Sequence, residues 1–157
     1  RMSVFVTCQQ DNHDARHRNA EMENEKMSDK VWRLPLHAIA HGRAGDKGNV
    51  SNVSVIAYDE AGYAFIEACV TEAVVMDVFS QVGATSVMRY LLPNLKAMNF
   101  VIPGVLDGGV NESRNVDRHG KNLSYLLLSR LMLDIPDNLL AQDSPYRTPE
   151  IAAQYSG

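Results

Sequence analysis

The chain has 157 residues, 45% hydrophobic and 22% charged, with a net charge of −4. That is the size and composition of one globular domain with a proper core, and it excludes a chain disordered throughout. The acidic balance supplies no general field to hold a polyanion, so nucleic acid is not an expected partner.

No apolar run approaches the roughly 18 residues of a membrane span, and residues 4–8 lack the apolar region of a signal peptide. No membrane partner is therefore expected, and a cytoplasmic location is. Cys8 and Cys69 have no Cys-x-x-Cys or Cys/His spacing around them and read as reduced thiols.

Residues 9–30 are almost all polar or charged and bury too little apolar surface to order themselves. Residues 1–30 are thus expected to be a poorly ordered extension, followed by a domain over 31–135 and an irregular tail over 136–157. Met27-Ser-Asp-Lys reads as a translation start, which would make residues 1–26 an addition to the native protein.

In the folded part Leu34, Leu36, Ala38 and Ala40 alternate with Pro35, His37, Ile39 and His41. That period predicts a single half-buried strand with His37 and His41 on one face. A second strand is predicted over 52–58, with Val53, Val55 and Ala57 alternating against Ser54, Ile56 and Tyr58. Residues 41–52 would be a glycine-rich loop joining the two.

Asp59-Glu-Ala-Gly marks a turn, with a short helix over 63–68 after it. Thr71 is the predicted N-cap of a helix that carries Val74, Val75, Val78 and Phe79 on one stripe, has Glu72 in its first turn, and stops near Gly83. Residues 87–92 and 98–102 are predicted to pair as an antiparallel hairpin. Pro103-Gly104 and Asp107-Gly108-Gly109 mark turns. Residues 110–122 read as a polar loop in which Asn111, Arg114 and Asp117 form a second exposed surface. A helix is predicted over 121–133, with Leu123, Leu126, Leu127, Leu128, Leu131 and Met132 on a broad apolar face.

The chemistry is densest in 41–52. Gly42, Gly45 and Gly48 permit close approach by a ligand, and Arg43, Lys47 and exposed N–H groups suit a nest for a carboxylate or phosphate. His41 and Asp46 are the candidate acid/base pair, since imidazole and carboxylate are the usual side chains for proton transfer, and Lys47 is the third catalytic candidate. Gly45, Gly48 and Asn49 are assigned to substrate contact with Arg43. The hairpin adds Arg89, Asn94 and Asn99, the last needing a hydrogen-bond partner if buried. The plainer alternative is a tight turn with Asp46 capping local amides and Lys47 solvated. The stretch lacks the Walker pattern, and His37, His41 and Asp46 lack a recognised ligand spacing, so no metal site is expected.

Three ordered segments, Ala40-His-Gly-Arg-Ala-Gly-Asp-Lys-Gly-Asn, Arg89-Tyr-Leu-Leu-Pro-Asn-Leu-Lys-Ala-Met-Asn-Phe and Gly104-Val-Leu-Asp-Gly-Gly-Val, resemble the C-terminal ferredoxin-like-fold domain of the acyclic terpene utilisation A (AtuA) family. The resemblance runs from Leu34 to Leu133 and implies an α+β, ferredoxin-like fold with a largely antiparallel sheet covered by helices.

It also implies a stand-alone small subunit that binds a carboxylate or acyl-CoA and works with a larger AtuA N-terminal-type protein. The setting would be breakdown of terpenoid or related acids, with a CoA thioester as substrate and no resident cofactor assigned. Any catalysis would be of lyase or hydratase type and would require that partner. Two alternatives stay open: an independent acyl-chain hydratase or lyase, and a non-catalytic assembly module. A second copy of the chain is the other candidate partner. Ala44 stands where the family pattern often carries serine, so one hydroxyl is missing here.

Overall fold

The computed structural model describes residues 4–6, 30–106, 117 and 119–155. The run from Trp32 to His41, expected as one strand, forms two. The first, β2 (Val31–Pro35), ends at a proline that has no N–H to continue a ladder. The chain then tightens into a 3-10 turn over Leu36–Ala38, closed by the Ile39 N–H on the Leu36 carbonyl at 3.2 Å. It re-emerges as β3 (Ala40–Lys47) in a different sheet. Leu36 and Ala38 stay buried inside the turn, which is why the alternation looked unbroken. His37 lies in the turn and His41 on β3, so the two histidines share no strand face.

The glycine-rich stretch is mostly strand as well. β3 pairs antiparallel with β4 (Val50–Ala57) from Ala40↔Ala57 to Lys47↔Val50, leaving only Gly48 and Asn49 as the connection. Gly48 has φ 59°, as the first central residue of a type II′ hairpin turn requires. Along β4 the expected alternation holds, with Val53, Val55 and Ala57 buried and Tyr58 beyond them exposed.

The Asp59 carboxylate accepts the Gly62 N–H at 2.7 Å and starts α1 (Glu60–Cys69), longer at both ends than expected. Thr71 caps α2 (Glu72–Phe79) through the Val74 N–H at 3.4 Å, and Val75, Val78 and Phe79 are buried. The chain leaves this helix through a 3-10 turn and Gly83. β5 (Met88–Leu92) and β6 (Ala97–Pro103) form the expected antiparallel hairpin.

The helix expected over 121–133 is shorter: α3 spans Leu123–Arg130, and the chain turns straight into β7 (Leu131–Pro136). Leu131, Met132, Leu133 and Ile135 are all buried. A short apolar run of that kind fits a central strand or a buried helix equally, and periodicity does not separate them. Beyond it, a 3-10 turn over Pro145–Arg147 and α4 (Pro149–Ala153) fold back, burying Leu140 and Ala152 against the core. At the other terminus β1 (Val4–Val6) runs parallel to β7. Residues 7–29, Asp107-Gly108-Gly109, Asn111 and Arg114 lie outside the described residues.

The described residues form two sheets. One has the order β1-β7-β2, the other β3-β4-β6-β5 and is antiparallel throughout. From β4 onward the elements follow the β-α-β-β-α-β sequence of a ferredoxin-like fold, with α1 and α2 together filling the first helical position. α3 packs on β3 and β4 and also on β2 and β7, so one helix ties both sheets into a single core. Phe79, Phe100, Leu34, Leu36, Ile66 and Met98 are fully buried there.

A candidate binding face on the four-stranded sheet

Side chains alternate across a strand, so the register sorts the motif into two faces. Ala40, Gly42 and Ala44 pair with Ala57, Val55 and Val53 and face the core, and Asp46, opposite Ser51, continues that row. Gly42 is there for contact: a Cβ on it would lie 2.9 Å from the Ser54 carbonyl oxygen and 3.2 Å from Leu128 Cδ1 on α3. His41, Arg43, Gly45 and Lys47 occupy the opposite face, where a Cβ on Gly45 meets nothing within 4 Å.

That outer face is built in rows across four strands. Arg43 stands beside Ser54, Asn99 and Tyr90; Gly45 beside Asn52, Val101 and Met88; His41 beside Ile56, Ala97 and Leu92. Polar residues in the middle strands join up. Ser54 Oγ donates to Asn99 Oδ1 at 3.0 Å, and Asn99 Nδ2 donates to Asn52 Oδ1 at 3.4 Å. His41 stacks on Tyr58, ring centroids 5.6 Å apart and planes 17° from parallel. On β5, at the far edge, Met88, Tyr90 and Leu92 remain 43%, 53% and 40% exposed.

The face therefore grades from a cationic strand through an amide and hydroxyl ladder to an apolar strand. Three strand spacings of about 4.8 Å make it roughly 14 Å across. Among the described residues no carboxylate pairs with Arg43 or Lys47.

The remaining expected site residues lie elsewhere. Asp46 is on the core-facing side, so the structure does not bring it to His41 as an acid/base partner. Its carboxylate instead receives Lys121 Nζ at 3.1 Å and His119 Nδ1 at 3.5 Å. The hydrogen bond from Lys121 is the largest cause that holds it below the usual carboxylate range; burial opposes this, and His119 adds to the lowering. Asn49 fastens the neighbouring turn: its side-chain oxygen accepts the Leu106 N–H at 3.2 Å and its carbonyl the Gly104 N–H at 3.0 Å. Gly48 shapes the hairpin turn.

Arg89 points away from the open face. Its Nη1 donates to the Glu67 and Val70 carbonyls at 2.7 and 3.0 Å, satisfying the C-terminal end of α1. Asn94 is exposed in the β5–β6 turn, at the His41 end of the sheet. Ala44 is 5% exposed and faces the core.

His119 and Lys121, which meet Asp46 here, are functional candidates that no sequence motif marks. The local signal was Asp117, whose carboxylate caps the Lys121 and Asn122 N–H groups at 2.9 and 2.7 Å. Their meeting with Asp46 spans more than seventy residues of chain, and no local spacing announces such a contact.

Among the described residues no group of three or more His, Cys, Asp or Glu side chains could hold a metal ion, and no helix is long and apolar enough to cross a membrane. The family model for the AtuA ferredoxin-like domain matches residues 34–132. No curated protein and no solved structure matches the chain.

Proposed function

The chain belongs to the AtuA ferredoxin-like domain family, and we propose that its open sheet face binds an acidic small molecule with an apolar tail, a branched carboxylate or its CoA thioester, against a larger AtuA N-terminal-type protein. The observation that carries this reading is the graded face. Arg43 and Lys47, with no carboxylate partner among the described residues, offer cations to an anionic head, Asn52, Ser54 and Asn99 offer orienting hydrogen bonds, and Met88, Tyr90 and Leu92 offer apolar surface for a chain.

The larger protein enters for a physical reason. Ligand sites for small molecules are concave and bury most of their ligand, whereas this face is one side of a sheet. A second wall completes it, and the exposed apolar β5 supplies surface for that wall. Membership of the family supports breakdown of terpenoid or related acids as the setting. On this reading His41, stacked on Tyr58, and Lys47 are the proton-transfer candidates that reach the ligand.

A titration of the protein with a short branched acyl-CoA, followed by amide and side-chain NMR, tests it. Shifts are expected at Arg43, Ser54, Asn99 and Tyr90, with affinity at least about tenfold weaker in Arg43→Ala/Lys47→Ala. Adding the larger protein is expected to tighten binding further. Shifts confined to the core-facing Asp46 end would overturn the assignment.

The second reading, a lyase or hydratase acting alone, is favoured by one observation: the Asp46 carboxylate sits on the His119 imidazole, the arrangement that orients a general base. Turnover by the isolated protein, lost in His119→Ala and kept in Arg43→Ala, would select it.

A further inference from the structure

A second site lies past the His41 end of the graded face. A cleft of about 490 Å³ opens between the 3-10 turn that holds His37 and the segment 139–146, with Tyr58 and Asp59 at its border. Its volume is within the range of small-molecule sites. The charged side chains lining it are Asp59 and Asp143, both carboxylates, and neither lysine nor arginine contributes. Burial holds the His37 imidazole below its ordinary pKa, so that ring is neutral near pH 7 and does not offset them.

The aromatic walls are fixed in advance. Tyr146 OH and His37 Nδ1 share a hydrogen bond of 2.9 Å, and Tyr155 packs edge-on against the same imidazole at 6.1 Å between centroids. Tyr58 is held from two sides, by its stack on His41 and by a hydroxyl that donates to the His37 carbonyl at 3.4 Å. Asp59 uses one oxygen, Oδ1, to cap α1. Its second oxygen and the Asp143 carboxylate, which has no partner among the described residues, complete the polar part of the cleft.

We infer that this cleft binds a small organic cation, an alkylammonium or guanidinium group seated against the Tyr58 and Tyr146 rings and neutralised by Asp59 and Asp143. Tyrosine faces attract such cations through the ring quadrupole, and the two carboxylates bar the acidic ligand proposed for the sheet face. The inference does not rest on that proposal: its ligand has the opposite charge and is held by Asp59, Asp143 and Tyr146, while Tyr58, which stacks on His41, stands between the two sites. The cation reaches the cleft as a free amine or at the end of a lysine or arginine side chain.

The test is a titration of the full chain with n-butylammonium, n-butylguanidinium and acetate, reading the His37, Tyr58 and Tyr146 ring signals by NMR. Saturable shifts with a cation and none with acetate are expected. Asp143→Asn and Tyr58→Leu are each expected to weaken cation binding by roughly tenfold, with folding checked by circular dichroism. An end-blocked lysine or arginine peptide that binds more tightly than the matching butyl cation identifies a protein side chain as the source; equal or weaker binding identifies a free amine. Acetate matching the cations, an absence of saturation, or unchanged affinity in Asp143→Asn overturns the inference. Asp143 is exposed and has no hydrogen-bond or ion-pair partner among the described residues, so that variant keeps the test decisive.

Discussion

The division of the motif into two faces is tested most sharply by its two strand glycines. Gly42→Ala places a methyl 2.9 Å from the Ser54 carbonyl oxygen, 3.2 Å from Leu128 Cδ1 and 3.4 Å from Ser124 Cβ. Leu128 can rotate, but the Ser54 oxygen is backbone on β4, so β3 and β4 must move apart. Overpacking of this kind costs about 1–3 kcal/mol, which for a chain of this length lowers the melting temperature by roughly 3–10 °C. Gly45→Ala points its methyl into open space on the other face. Removing a flexible glycine from a strand there is expected to be neutral or to stabilise by about 0.5–1 kcal/mol. Thermal and urea unfolding of both variants, followed by circular dichroism, gives the comparison. Gly42→Ala melting within about 1 °C of the parent while Gly45→Ala melts lower would reverse the face assignment and with it the proposed binding surface.

Three further outcomes follow from the contacts. Arg89→Ala removes two charge-assisted hydrogen bonds from the end of α1 and is expected to cost about 1.5 kcal/mol in urea unfolding, without weakening acyl-CoA binding; the opposite pattern would return Arg89 to the site. The Tyr63 hydroxyl is buried with no hydrogen-bond partner among the described residues, so Tyr63→Phe is expected to leave stability unchanged or raise it by about 1 kcal/mol, and a loss of that size would reveal a partner. His37, with its folded pKa lowered by burial from the ordinary 6.5, binds protons more readily in the unfolded chain. Its contribution to stability is therefore full above pH 6.5 and is lost as pH falls through the lowered folded value. Urea unfolding across that range should show a drop that His37→Gln removes, and an identical drop in the variant would place the titration elsewhere.

What could be read from the chain alone was whatever local chemistry dictates. The Thr71 cap, the β5–β6 hairpin and the alternation of Val53, Val55 and Ala57 each depend on neighbours in sequence, and each stands in the structure. β3 escaped because its core-facing positions are Ala40, Gly42 and Ala44, small so that α3 can approach. A strand whose buried face is alanine and glycine carries no hydrophobic alternation, so it resembled a loop. The split at Pro35 was masked by a turn that buries Leu36 and Ala38, and β7 by an apolar run with no period of its own. At the site, the outer row of His41, Arg43 and Lys47 became legible only through the register with β4. Asp46 found His119 and Lys121 through tertiary folding that no spacing encodes.

Ala44 brings these threads to one substitution. The resemblance implies a hydroxyl in relatives at this place that is missing here, yet Ala44 is 5% exposed, stands opposite Val53 and joins the core beside Gly42. A hydroxyl there would face packed apolar surface and not the graded face. Ala44→Ser is therefore expected to act on stability, costing about 1–2 kcal/mol when the hydroxyl stays unpaired and close to nothing when it finds a backbone carbonyl. Acyl-CoA affinity at the outer face should not change in either case. Measuring both quantities on one variant separates the explanations: a gain in affinity at constant stability would mean that position 44 reaches the ligand, and the two-faced reading of β3 would fall. A change in stability alone would make the residue at this position a matter of how closely α3 packs on the sheet, with ligand choice resting on Arg43, Lys47 and the strands beside them.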